Sequence, residues 1–136
     1  MKLPYEYSER FYRILDIYEQ TREGKLVPLD KQFWEDVEAE VRKLKRDLEL
    51  HSDDDTAYGQ VLDAYATLTS VVRRIIDARI YKIFMFIFRR LNPPTELSEP
   101  ELQLYHDLKA LIEDFKAKLV PSLFAVERSE SEDKEV

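Results

Sequence analysis

The sequence predicts an all-α fold, a four-helix bundle-like domain with one long central helix, and three observations carry that prediction. Hydrophobic residues make up 44% of the chain, enough to build a core, yet there are only two glycines and no sustained β-branched alternation. Apolar side chains recur instead at the i, i+3, i+4, i+7 spacing of a helix face in successive stretches. Those stretches are punctuated by residues that start or stop helices. With 136 residues, the chain is long enough for one domain and short for two. We expect that domain to occupy residues 1–126, followed by a disordered, mostly acidic tail at 127–136.

The first helix is expected from Ser8 to Thr21, with Phe11, Ile14, Leu15 and Tyr18 on one face and Ser8 as its N-cap. Gly24 sits where a left-handed residue would end it. An apolar connector, Leu26 to Leu29, turns the chain back. Pro28 bars helix at Val27, and Asp30 caps the second helix, Lys31 to Leu50. Phe33, Val37, Val41, Leu44 and Leu48 form that helix's stripe, with Trp34 beside it. Glu35, Asp36, Glu38 and Glu40 precede Arg42, Lys43, Lys45 and Arg46, an order that suits the helix dipole and reads as a solvated surface. Asp53 to Asp55 lie in a loop without the ligand alternation, turn glycine and distal glutamate of a calcium site.

The third helix is expected from Ala57 to Leu91, about 50 Å at 1.5 Å per residue. Tyr58, Leu62, Tyr65, Leu68, Val72, Ile76, Ile80, Ile83 and Ile87 trace its expected buried face, and a break near Thr67 to Ser70 is the alternative. Asn92-Pro93-Pro94 is the expected stop. Ser98-Glu99-Pro100-Glu101 is a capping box with proline in the first turn, and it opens a fourth helix. Leu104, Leu108, Leu111, Phe115 and Leu119 form its expected buried stripe, and Pro121 its end. Residues 122–126 either begin a strand or tuck against the bundle.

The absence of cysteine excludes disulfides, thiolate zinc sites and a cysteine nucleophile. His51 and His106 have no metal or catalytic spacing, and no glycine-rich loop could cradle a phosphate. We expect no enzymatic activity, no metal and no cofactor. A net charge of -7 and a pI near 5.0 disfavour nonspecific binding of nucleic acid. Pro4, Glu6, Glu9 and Asp16 interrupt any secretory core, and no stretch reaches the roughly 20 apolar residues of a membrane span, so a cytoplasmic location is expected.

Between Ile80 and Phe88 only Lys82 interrupts a run of large apolar side chains. Only about half of a bundle helix faces its own core, so roughly four of these residues would face outward, each wasting about 1.5–3 kcal/mol. A sum on the order of 10 kcal/mol rivals the stability of a whole domain, which argues for a covering chain. Tyr81, Phe84, Met85, Phe86 and Phe88 are the candidate subunit interface, together with Trp34, for which plain core packing is an equal reading. Arg73, Arg74, Arg79, Lys82 and Arg89 lie on the same helix. They read first as ion pairs at an interface, and alternatively as a nucleic-acid stripe of a regulatory adaptor.

Three stretches carry a family resemblance: Leu26-Val27-Pro28-Leu29-Asp30-Lys31-Gln32-Phe33-Trp34-Glu35, Arg79-Ile80-Tyr81-Lys82-Ile83, and Leu97-Ser98-Glu99-Pro100-Glu101-Leu102-Gln103-Leu104-Tyr105. In order and spacing they resemble the connector, the basic-apolar signature and the capped last helix of an archaeal GINS subunit's helical domain. The resemblance implies a noncatalytic replication factor that assembles with a GINS-like sister subunit, the same or a different chain. It also implies partners reached through the assembled complex, the MCM helicase and a RecJ-like protein. The small β-rich domain common in such subunits has no counterpart before the sequence stops.

Overall fold

In the computed structural model the described residues are 6–124, so the expected tail lies outside them. Among them are four α-helices and no strand: α1 (Glu9–Arg22), α2 (Lys31–Leu50), α3 (Asp55–Phe88) and α4 (Glu99–Leu119). The starts follow from local chemistry, because the first N–H groups of a helix need acceptors that the helix itself lacks. The Ser8 hydroxyl accepts from Phe11 N–H at 3.2 Å, and Asp30 Oδ1 from Phe33 N–H at 3.0 Å. Asp54 Oδ1 accepts from the N–H groups of Thr56 and Ala57, each at 3.1 Å. Glu101 Oε1 accepts from both the N–H and the hydroxyl of Ser98, at 3.1 and 2.9 Å.

Two helices stop by the same device. After α1, Gly24 takes φ +86°, Gly24 N–H donates to Thr21 O at 3.0 Å and Lys25 N–H to Gln20 O at 3.1 Å. After α3, Arg90 takes φ 57°, Arg90 N–H donates to Ile87 O at 3.1 Å and Leu91 N–H to Phe86 O at 2.9 Å. Helix α3 therefore ends at Phe88, before Asn92-Pro93-Pro94 is reached, because a left-handed residue has already turned the chain. A β-carbon in that conformation costs roughly 1–2 kcal/mol. Arg90→Gly should therefore be more stable than Arg90→Ala by about 1 kcal/mol, with the backbone entropy of glycine offsetting part of the gain, as urea unfolding of the two variants will measure.

The described residues form two compact units that share α3, one up to Lys82 and one from Ile83. In the first, Phe11 and Ile14 of α1, Phe33, Val37 and Leu44 of α2, and Val61, Ala64, Leu68, Val71 and Ile75 of α3 enclose one core, with Leu29 of the connector. In the second, Ile83 and Ile87 of α3 meet Tyr105 of α4, with Leu104, Leu108 and Ile112 packed around them. The Tyr105 hydroxyl donates to Leu91 O at 2.6 Å, which fastens the turn after α3 to α4.

Helix α3 runs unbroken through Thr67 to Ser70, and the Thr69 hydroxyl bonds back to Tyr65 O at 2.9 Å. Its buried face differs from the expected one. Val61, Ala64, Val71 and Ile75 are buried, whereas Tyr58, Leu62 and Ile76 are exposed and Tyr65, Val72 and Ile80 half-buried. The helix is apolar on two adjacent rows about 100° apart, and spacing alone does not say which row meets α1 and α2. On α4 the correction is similar. Leu111, Phe115 and Leu119 are exposed, since the core of the second unit takes no residue of α4 beyond Ile112. Residues 121–124 form one helical turn, with Leu123 and Phe124 N–H donating to Val120 O at 3.1 Å, where a strand was the alternative.

Candidate interaction surface

Charged side chains divide into those that hold the fold and those that stay exposed. Glu40 is 1% exposed, so it does not belong to the solvated surface expected for α2. A buried carboxylate needs donors to replace water. Glu40 Oε1 accepts from Arg10 Nε at 3.1 Å and from the Ser8 hydroxyl, the same hydroxyl that caps α1. Asp36, also buried, accepts from Arg13 at 3.4 Å and Gln32 at 3.0 Å. This polar seam joins α1 to α2.

Three of the five cations expected as a stripe are engaged within the chain. Arg79 is 4% exposed, and its Nη1 donates to Val27 O at 2.7 Å. Lys82 Nζ donates to Gly24 O at 2.5 Å, and Arg74 Nη1 to the Tyr18 hydroxyl at 2.9 Å. Arg79 and Lys82 thus pin the connector between α1 and α2 by its carbonyls. Backbone carbonyls, not carboxylates, accept these two bonds. Arg73 and Arg89 are exposed, and among the described residues Arg73 has no acidic partner.

The aromatic candidates also separate. Tyr81 is 65% exposed and Phe88 62%, while Phe84 and Met85 are half-buried. The Phe84 and Phe88 rings stack at 6.1 Å with an interplanar angle of 19°, a short apolar ledge one turn long. Phe86 points the other way and packs on the core of Ile83, Ile87 and Tyr105. Trp34 packs against the first core and meets Phe33 edge to face at 4.9 Å. Both are therefore committed, at least in part, to their own chain.

Two features escaped the sequence reading. A groove of about 290 Å³ lies between α2 and α3, lined by Val37, Val41, Leu68, Val72, Arg73 and Ile76. An exposed row, Leu111, Phe115 and Leu119, runs along α4 at a spacing of four. The signal for both was present as a surplus of apolar positions, more than one core face can use. Among the described residues no group of His, Asp or Glu could hold a metal ion, and no helix is long and apolar enough to cross a membrane. Comparison with protein families, with characterised proteins and with solved structures gives no match to this chain.

Proposed function

We propose that this chain is a noncatalytic assembly subunit of the GINS kind, whose helices pack as a bundle around α3 and whose α3 docks on the helices of a sister subunit. The observation that carries the proposal is the outward presentation of Tyr81 and Phe88, with Phe84 stacked on Phe88, late on the longest helix. Exposed aromatic side chains bring large contact area at low entropic cost, which is what an interface anchor needs. The three resembling stretches also acquire physical roles that fit the reading. The second grips the first, through Arg79 on Val27, and the third is the cap of α4. In this reading the complex links the MCM helicase to a RecJ-like partner in the cytoplasm, and the chain itself supplies packing surface only. The nucleic-acid alternative has less support, because Arg74, Arg79 and Lys82 already donate within the chain.

The test is the solution mass by light scattering, alone and after coexpression with the other replication proteins of its host. The proposal expects a mixed or homomeric assembly whose mass falls in Phe84→Asp and Phe88→Asp. Unchanged size and unchanged melting in both variants would remove this surface from consideration. Neutralising Arg73 and Arg89 should leave the α3-mediated contact with the sister subunit intact. Salt-dependent binding to duplex or single strands, weakened by those substitutions, would favour the adaptor instead.

A further inference from the structure

We propose that the exposed row on α4 of one copy seats in the groove between α2 and α3 of a second copy. This goes beyond the reading above and uses a different surface from the end of α3. The groove is apolar along Val37, Val41, Leu68, Val72 and Ile76, and its single cation, Arg73, has no acidic partner among the described residues. An occupant must therefore offer apolar side chains at helical spacing with a carboxylate beside them, the pattern of a helix laid in a groove.

The chain carries that pattern itself. Leu111, Phe115 and Leu119 project from α4 with Phe115 60% exposed, and none joins the core of its own unit. The same row begins with Asp107, an exposed carboxylate that accepts from Gln103 at 2.8 Å. Three residues spaced by four span about 12 Å of helix, and so does the stretch of α3 from Leu68 to Ile76 that forms one wall of the groove. Row and groove thus match in length and in apolar character, and Asp107, one turn before Leu111 on the same face, supplies the carboxylate toward which the long Arg73 side chain can extend. The contact is head to tail, since different surfaces meet, so it leads either to a closed dimer or to longer assemblies.

The experiment uses the purified full chain over a wide range of concentration in sedimentation equilibrium. The wild type should self-associate. Phe115→Asp on the row and Ile76→Asp on the groove should each weaken association about tenfold or more, while melting holds, because both positions are exposed. Should Ile76→Asp melt lower, Arg73→Glu replaces it as the groove variant. Mixing a row variant with a groove variant leaves one intact row and one intact groove, so the mixture should form dimers and nothing larger. A monomeric wild type, variants that associate like the wild type, or a mixture that stays monomeric would each overturn the proposal. Phe84→Asp, added to both the row variant and the groove variant, should leave their mixed dimer unchanged. Its loss there would move the contact to α3, and a lost sister-subunit assembly with this association preserved would fail the earlier reading alone.

Discussion

Leu44→Ala should lower the stability of the fold by about 3–4 kcal/mol, near the upper half of the range for a buried leucine. Leu44 is fully buried in the core that α1, α2 and the first part of α3 enclose. Its neighbours there come from three helices, so closing the space left by the missing methyl groups would require more than one helix to shift. Such sites collapse poorly, and the cavity term adds to the lost transfer free energy. Urea unfolding followed by circular dichroism should show the midpoint fall with the denaturant slope unchanged. A loss under about 1 kcal/mol would mean that this core is loosely packed.

Arg79→Ala should cost about 3 kcal/mol, because a buried guanidinium that donates to a backbone carbonyl is removed. Two losses combine. Val27 O would lose a charge-assisted donor at 2.7 Å, and the buried stem of Arg79 would leave a cavity. Arg79→Met, which refills most of the volume but donates nothing, should recover part of the loss. Arg79→Lys should recover less than its charge suggests, because an ammonium lacks the planar fork and is more strongly hydrated. Amide exchange should speed up first around residues 24–30 in Arg79→Ala, where the pinned connector lies. Uniform acceleration across α1 and α2 would show instead that Arg79 acts through the whole core.

Helix ends were legible because capping is decided within a few residues. Ser8, Asp30 and the Ser98–Glu101 box all cap as their positions predict, and Gly24 does stop α1. The stop after Phe88 was not, since arginine is a poor advertisement for a left-handed residue. The rotation of α3 and α4 was also hidden. Both helices carry apolar positions on more than one row, and only the tertiary neighbours choose between Ile75 and Ile76, or between Tyr105 and Phe115. The buried carboxylates were misread for a related reason. Nothing in the spacing of Asp36 and Glu40 reveals that Arg13 and Arg10 of another helix will meet them. Of the candidate surface, the run from Ile80 to Phe88 was legible as excess apolar area, but not that Phe86 turns inward while Phe88 turns out.

The pinning of the connector also sets an order of events in time. Arg79 and Lys82 bond to carbonyls 52 and 58 residues earlier, so the turn between α1 and α2 cannot lock until most of α3 exists. During synthesis the α1–α2 hairpin has its caps, its local helices and the seam from Arg10 to Glu40, but an unfastened turn. Long-range closures of this kind are slow relative to helix formation, because their loop entropy is lost before the contact forms. A nascent chain that ends before Arg79 therefore already carries the α3 core residues Val61 to Ile75 but still has a loose hinge, and the arrival of the basic-apolar stretch is the step that fastens it.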